Sequence, residues 1–370
     1  MKIAIITMHG VWNYGSVLQS LATNKFFSDL GCEVEFINYK RDDYKSIAGF
    51  MKDLRKRNSL IVFAIKAIII LPTLIRWKKI FGGFCKKNLN ISSIEYTSEE
   101  DLEKNTPIAD IYCTGSDQVW NSTLNKGILE PFFLKFVPKD KPCISFSASF
   151  GKKQLENWEK EKTLKLLSRY QYITVRESSG VTICQDLGLK NIHQILDPTL
   201  LQSKEYWLKL IKKRNIKKDY LLVYQLHKED GLDDYIRKLS KKLNLEIVRV
   251  CYRYDEYRKL GKSLLIPSVE ELLSAIYHAS LIITDSFHVT AFSTNFNKKF
   301  ISIVPEHQFG GRISSLLQKI GLEQMTIHNF NDFSPLNYEA NWEKVNKIYE
   351  EERKKTRSFF SDLLNQKIND

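Results

Sequence analysis

The sequence has few cysteines, and they are scattered. The six are Cys32, Cys85, Cys113, Cys143, Cys184 and Cys251, and no two of them form a CxxC pair. The sequence therefore shows neither a metal-binding framework nor a disulfide scaffold. This pattern is typical of a reducing compartment, so we expect a cytoplasmic protein.

Two other signals are absent. The amino-terminal apolar run MKIAIITM is too short for a signal peptide, and we interpret it as a first β-strand. No Asp-x-Asp pair stands at the end of a predicted strand, and no metal-ligand spacing is visible. The sequence therefore requires no metal ion and no cofactor.

Acidic residues are outnumbered, with 43 Asp and Glu against 56 Lys and Arg and a net charge of +13. Most of the excess lies between Lys40 and Asn90. This segment contains thirteen basic residues and three acidic ones, Asp42, Asp43 and Asp53, so its net charge is +10. Nucleic acid is a weak explanation, because the basic charge surrounds an apolar stretch and no nucleic-acid-binding motif is present.

That apolar stretch is the run from Ile61 to Ile75, interrupted by Lys66 and Pro72. It is too short to span a bilayer comfortably, which takes about 20 residues. Its basic flanks favour an interfacial helix that contacts anionic lipids, which would place the protein at the inner face of the cytoplasmic membrane. A helix buried under the core, with solvated basic ends, fits the sequence equally well.

The length of 370 residues, with 43% apolar and 27% charged residues, predicts a globular protein of two domains. Strands and helices alternate along the chain, and the alternation restarts after a polar, lysine-rich stretch that follows Asp197–Thr199. This pattern predicts an α/β fold with two doubly wound Rossmann-type domains that face each other across a cleft. We place the domains at 1–198 with a basic, apolar insertion at about 45–90, at 199–337, and in a helix at 338–370 that packs on the first domain.

The stretch LIITDSFHVT, residues 281–290, carries the clearest site signal. A buried strand runs directly into Asp285 and His288 at its carboxyl end, where open α/β sheets bind ligands. The imidazole of His288 could act as acid, base or phosphate partner. Alternatively, Asp285 and Ser286 cap the next helix and His288 is a core residue.

Three more predicted strand ends carry polar groups. The loop HGVWNYG places Asn13 and Gly15 where a phosphate or sugar could approach, although a plain turn would look the same. The loop GSDQVWN follows another buried strand at Gly115–Asn121. Arg176 ends a third strand, where it could bind an oxyanion or form a surface ion pair with Glu177.

Taken in order, these loops resemble the polysaccharide pyruvyl transferase family. The matching stretches are IITMHGVWNYGSVLQS, YCTGSDQVWN, SFSASFG, ITVRESSG, LDPTLL, ITDSFHVTAFSTNFNKKF and RISSLLQKIGL. The resemblance implies a GT-B-like fold and the transfer of pyruvate from phosphoenolpyruvate onto a sugar, usually as a cyclic ketal. Three positions depart from the family pattern. Ser286 replaces an arginine found in some branches, Val289 follows the histidine where the close branch usually has glycine, and Ser16 follows Gly15 where the first loop often ends in Gly-Asp.

The resemblance also suggests roles for individual residues. His288 matches the family histidine and Arg176 the donor-contacting arginine, while Ser286 and Phe287 complete the family's three-residue run. From its chemistry, Arg312 is a second clamp for phosphoenolpyruvate, and Asp285 could orient or deprotonate an acceptor hydroxyl. The polar residues expected to bind the sugar or lipid-linked acceptor, or to shape its loops, are Asn13, Gly15, Ser116, Asp117 and Gln118.

Two other functions are compatible with the sequence. A GT-B glycosyltransferase would use a nucleotide sugar and would need a carboxylate such as Glu306 to bind a ribose. A non-catalytic scaffold of glycan assembly would use the basic, apolar segment to rest on a membrane surface.

Overall fold

The computed structural model describes residues 1–40, 47–211, 214, 216–304 and 311–369. The chain divides into two compact units. Unit 1 comprises Met1–Arg41, Cys85–Gln202 and Glu343–Asp370, and unit 2 comprises Asp42–Phe84 and Ser203–Trp342. Glu306, the carboxylate considered above for a ribose, lies outside the described residues.

Within the described residues the strands, in chain order, are β1 Lys2–Ile6, β2 Glu33–Tyr39, β3 Ile91–Tyr96, β4 Ile111–Thr114, β5 Cys143–Ser145, β6 Tyr170–Val175, β7 Ile192–Gln194, β8 Tyr220–Tyr224, β9 Glu246–Cys251, β10 Lys262–Leu265, β11 Leu281–Thr284, β12 Phe300–Ile303 and β13 Thr326–Ile327.

The α-helices are α1 Tyr14–Asp29, α2 Ile47–Lys56, α3 Leu60–Trp77, α4 Gly83–Asn88, α5 Glu99–Lys104, α6 Ser122–Asn125, α7 Asn157–Leu167, α8 Ser178–Asp186, α9 Pro198–Leu201, α10 Lys204–Leu208, α11 Leu232–Leu243, α12 Val269–His278, α13 Phe287–Asn295, α14 Gly311–Ile320 and α15 Trp342–Asn369. A π-helical turn, Lys78–Gly82, joins α3 to α4.

Unit 1 contains a parallel sheet with the strand order β3-β2-β1-β4-β5-β6-β7. Its central strands are continuous apolar runs because helices cover both faces of such a sheet. The strand order reverses between β1 and β4, where Ile6 pairs with Thr114. Ligands of doubly wound folds bind at such a reversal, outside the carboxyl ends of the strands.

The carboxyl-terminal helix α15 belongs to unit 1 by its contacts. Phe360 packs among the rings of Phe26, Phe27 and Phe146, with centroid separations of 5.2–5.7 Å. The guanidinium of Arg353 donates hydrogen bonds to the backbone of α9, with Nε 2.9 Å from the carbonyl oxygen of Leu200. One aromatic cluster and one arginine thus fix this helix to the unit.

Unit 2 repeats the same design, with the order β10-β9-β8-β11-β12-β13 and parallel pairing throughout. The core under this sheet includes Leu221, Ile236 and Ile283, each at most 1% exposed. The strand order reverses between β8 and β11, where Tyr224 pairs with Thr284. Both sheets therefore confirm the predicted doubly wound α/β architecture.

The basic, apolar segment requires a correction. We placed it as an insertion of the first domain, whereas its described residues from Ile47 to Phe84 belong to unit 2 by their contacts. The indole Nε1 of Trp77 donates to the carbonyl of Tyr252 at 2.7 Å, and the amide of Tyr254 donates to Oγ1 of Thr73 at 3.2 Å. These bonds hold the carboxyl-terminal half of α3 against unit 2.

Candidate active site

The strongest chemical feature of unit 2 is the carboxylate of Asp285, at the carboxyl end of β11. It accepts hydrogen bonds at 2.7 Å from the backbone amides of both Leu226 and His227, which follow β8. It also lies 2.9 Å from Nδ1 of the His227 ring. Asp285 therefore joins the two strand ends on either side of the topological reversal.

The imidazole of His227 is held by this carboxylate and still reaches solvent. Its side chain is 47% exposed, whereas that of Asp285 is 1% exposed. The hydrogen bond with Asp285 raises the pKa of His227 above its usual value, although partial burial and the positive charge of Arg312 act in the opposite direction. With Nδ1 facing Asp285, the opposite ring nitrogen, Nε2, becomes the atom that can exchange a proton.

His227 was not among the residues predicted from the sequence. A sequence signal was present, because His227 directly follows the strand-like run YLLVYQL, residues 220–226, where the alternation of strands and helices restarts. It was missed because its partner is 58 residues away in sequence. The structure thus supplies a histidine–carboxylate pair where the sequence had indicated only the carboxylate.

The next residues begin α13. Ser286 is its N-cap, and the Ser286 hydroxyl oxygen accepts from the amide of Val289 at 3.4 Å, so the capping interpretation holds for this residue. His288 lies in the first turn of α13 and is partly buried, with its ring edge-on to Phe287 at 5.3 Å between centroids. Val289 is 2% exposed and lies inside the fold.

Arg312 lies in the first turn of α14, and its guanidinium stands 5.7 Å from the centroid of the Phe287 ring. An arginine over an aromatic face is a cation–π contact, which orients the planar guanidinium. Phe287 begins the helix that follows Asp285, so its contact with Arg312 places a cation at the sheet edge that also carries Asp285 and His227.

Unit 1 has its own polar cluster at the reversal between β1 and β4. Thr7 donates to the carbonyl of Ser116 at 2.7 Å, and the hydroxyl of Ser16 donates to Oδ2 of Asp117 at 2.6 Å. Asn13 is the N-cap of α1, and its Oδ1 accepts from the amides of Gly15 and Ser16. The amide of Gly15, a residue that we expected a phosphate or sugar to approach, is thus already bonded to Asn13.

The loop Gly115–Gln118, here called the GSDQ loop, has an unusual backbone conformation. Asp117 has a φ of 75°, in the left-handed region, and its Oδ1 accepts from the amide of Gln118 at 2.8 Å. Ser116 is fully buried, and its hydroxyl has no hydrogen-bond partner among the described residues. Gln118 is partly exposed and accepts a hydrogen bond from Asn121, so it is more accessible than Ser116 or Asp117.

Arg176 lies in the interior of unit 1, with its side chain 1% exposed. Its guanidinium is 2.7 Å from Asp197, 3.6 Å from Glu177 and 3.9 Å from Asp117. The pair with Glu177 is thus buried, not on the surface as weighed from the sequence. Three carboxylates already surround the cation that was predicted to bind phosphoenolpyruvate.

His9 is a second histidine that the sequence analysis passed over, although it lies in the first loop. It is 4% exposed, its ring meets Phe36 edge-on, and Nδ1 has no hydrogen-bond partner among the described residues. Burial lowers the pKa of His9 to about 4. The ring is therefore neutral at physiological pH and serves packing.

Similarity to known proteins identifies the family. The sequence model of the polysaccharide pyruvyl transferase family matches residues 13–307. This chain belongs to the polysaccharide pyruvyl transferase family. The matched range contains the GSDQ loop and the pair formed by His227 and Asp285. The comparison with curated proteins found no match to this sequence.

Solved structures place the family member in a known architecture. LpCGTa in complex with UDP is similar at a TM-score of 0.54 and 10% identity, covering 99% of both chains. A protein of Listeria monocytogenes assigned as a UDP-N-acetylglucosamine 2-epimerase is similar at a TM-score of 0.54 and 10% identity. The match covers 93% of this chain and 90% of the other. The chain has the GT-B fold, as predicted.

Proposed function

We propose that this protein transfers pyruvate from phosphoenolpyruvate onto two hydroxyls of one sugar, as a ketal. The sugar would belong to a cell-surface glycan or to its lipid-linked precursor. The observation that carries the proposal is the pair of His227 and Asp285, at the strand reversal of a chain that belongs to the pyruvyl transferase family. Arg312 contacts Phe287, two residues after Asp285.

The reaction needs one proton donor and two proton acceptors. Protonation of the donor's methylene carbon makes C2 electrophilic, and the first hydroxyl adds there and loses its proton. The C2–O bond to phosphate then breaks, and the second hydroxyl adds and loses its proton. One of these two protons balances the new methyl group, and the other leaves with phosphate as hydrogen phosphate.

Protonated His227 is our candidate for the general acid. Its raised pKa increases the fraction of imidazolium at neutral pH, and Asp285 fixes Nδ1 so that Nε2 can deliver the proton. Asp285 already accepts three hydrogen bonds and is buried, so we assign it a positioning role, not the base role considered from the sequence.

The charge of the donor calls for cationic partners. Arg312 provides a planar guanidinium suited to a carboxylate or phosphate, oriented by its stacking on Phe287. His288 lies in the first turn of α13, where the partial positive charge of the helix amino terminus favours an anion. We therefore assign the phosphate to His288 and the carboxylate to Arg312.

The test measures phosphate release and the gain of pyruvyl mass when the protein is incubated with phosphoenolpyruvate and candidate glycan acceptors. His227→Asn should lower kcat by about 10²- to 10⁴-fold with little change in the KM for phosphoenolpyruvate. His288→Asn should instead raise that KM. The matched control is His328→Asn, because His328 is an exposed histidine of the same unit.

Two outcomes would overturn the proposal. One is release of UDP from a nucleotide sugar with no phosphate from phosphoenolpyruvate, which would indicate a glycosyltransferase. The other is His227→Asn with the activity of the control variant, which would remove the assigned acid.

A further inference from the structure

Helix α3 has one face attached to unit 2. Ile70, Thr73 and Leu74 are buried there, and Thr73 and Trp77 hydrogen-bond to the segment after β9. The guanidinium Nε of Arg76 donates to the carbonyl of Ile266 at 3.4 Å. This face of the helix is thus a fixed part of a folded domain.

The opposite face is apolar and exposed. Ile61, Ile65, Ile68 and Ile75 recur at helical spacing, and their exposed fractions are 75%, 55%, 75% and 54%. The neighbouring exposed apolar side chains on this helix are Leu60, Val62, Ile69 and Leu71. Contiguous exposed apolar surface of this kind marks an interaction site, whereas single exposed apolar residues do not.

The charge around the exposed face of α3 indicates which partner binds it. Residues 47–88 contain ten Lys and Arg and one acidic residue, Asp53. The cations that flank the apolar face lie on exposed positions before and after it, namely Lys52, Arg55, Lys56, Arg57, Lys78 and Lys79. A second copy of this chain would bring two strongly basic segments together. An anionic lipid surface can bury the apolar side chains at the headgroup–acyl boundary and attract the flanking cations.

The geometry also argues against a helix that spans the bilayer. By length and composition, the helical run Leu60–Asn88 could cross a membrane, and 17% of its most apolar window is buried. However, the carboxyl-terminal half of α3 is bonded to unit 2, and that face would have to leave the domain to enter lipid. Pro72 and Lys66 also interrupt the run.

We propose that α3 docks this protein onto an anionic membrane surface, with the isoleucine face inserted at the level of the lipid headgroups and the flanking cations on lipid phosphates. The proposal stands apart from the proposed chemistry, because residues 60–75 contribute nothing to the candidate active site. It favours a lipid-linked acceptor over a soluble one, and that consequence alone rests on the proposed function.

The test is flotation of the full chain with vesicles of phosphatidylcholine, alone or with about 30% phosphatidylglycerol. The wild type should bind the anionic vesicles at least about tenfold more tightly, and this preference should fall with added salt. The triple variant Ile61→Ser, Ile65→Ser and Ile68→Ser should lose binding by at least about tenfold.

A matched control removes three exposed apolar side chains from unit 1: Ile94→Ser, Ile108→Ser and Leu164→Ser, whose exposed fractions are 48%, 88% and 36%. The control should bind like wild type. A thermal melt of both variants checks folding, and phosphate release with a soluble acceptor should be the same in both, which separates this test from that of the chemistry.

Three results would overturn the proposal. Equal flotation of the α3 triple variant and the wild type would contradict docking through this face. Protein that stays with membranes through alkaline carbonate would be a spanning protein. A wild-type dimer that the triple variant converts to a monomer, with neither form on vesicles, would make the face a self-association surface.

Discussion

The carboxylate of Asp285 and Nδ1 of His227 lie 2.9 Å apart, although 58 residues separate them in sequence. The contact is possible because β8 and β11 are adjacent parallel strands, with Tyr224 opposite Thr284. The carboxyl ends of the two strands therefore lie side by side. The carboxylate of Asp285 can bond the ring of His227 and also the backbone amides of Leu226 and His227. This arrangement can set the tautomer and the pKa of one exposed imidazole.

We predict that Asp285→Asn shifts the pH dependence of kcat/KM for phosphoenolpyruvate. In the wild type, the hydrogen bond with Asp285 raises the pKa of His227, and activity that needs the imidazolium is lost as pH rises through that pKa. Asparagine carries no charge, so in Asp285→Asn the pKa of His227 should fall. The alkaline limb of the kcat/KM profile should therefore move to lower pH. A histidine NMR titration measures the pKa of His227 directly.

The control for this prediction is Asp234→Asn, because Asp234 is an exposed carboxylate of unit 2 with 73% of its side chain accessible. It should leave both the profile and the titration of His227 unchanged. If the NMR titration moves in Asp285→Asn while the alkaline limb does not, another group is the acid.

The buried strands were predictable because their residues carry the signal themselves. Leu281–Thr284 is a strand as predicted, since four consecutive apolar or β-branched residues fit a strand that is buried on both faces. Strands β3 and β10 gave no such signal. Each is the edge strand of its sheet, and the burial pattern of β10 has no fully buried residue.

The site was predictable only in part, because its pairings are long-range. The strand-end rule selects Asp285 from the local sequence, but only the sheet order brings His227 to it. Likewise, Arg176 looked like an exposed clamp at a strand end. Its carboxylate partners Asp117 and Asp197 come from two other loops, so their convergence on one guanidinium was invisible in the sequence.

We predict that Arg176→Met destabilises the protein strongly. Removal of the cation leaves Asp117, Glu177 and Asp197 as an uncompensated buried cluster, and breaking such a buried pair typically costs about 3–5 kcal/mol. Arg237→Met is the control, since the ion pair of Arg237 is exposed and such a change should stay within about 0.5 kcal/mol. Urea unfolding measures both.

The two interpretations of Arg176 separate in this experiment. A structural role predicts lost stability and lost activity together. Unchanged unfolding with a large rise in the KM for phosphoenolpyruvate would instead make Arg176 a donor-binding residue.

We predict that Gly151→Ala disturbs the GSDQ loop. Gly151 has a φ of 63°, and a Cβ there would lie 2.2 Å from Oε1 of Gln118 and 2.5 Å from Nδ2 of Asn121. The left-handed backbone costs an alanine about 1 kcal/mol, and Gln118 must also leave its bond with Asn121. Unfolding and the KM for the sugar acceptor are the measurements.

Gly188→Ala isolates the backbone cost, because Gly188 has a φ of 73° and open space around its missing Cβ. Gly188→Ala should lose about 1 kcal/mol of stability. Gly151→Ala should lose more, because it also displaces Gln118 and Asn121, and it alone should raise the acceptor KM. Equal acceptor KM values in the two variants would separate Gln118 from acceptor binding.

We predict that His9 contributes to unfolding in acid. Its pKa falls from 6.5 to about 4 on burial, so the unfolded chain binds one more proton between these values. The stability that comes from neutral His9 is complete above pH 6.5 and is lost as pH falls towards 4, by about 3 kcal/mol. His9→Phe keeps the aromatic packing on Phe36 and cannot titrate. Urea unfolding at pH 7 and pH 4 should therefore show a smaller acid loss for His9→Phe than for wild type, and equal losses would mean that His9 is protonated in the folded protein.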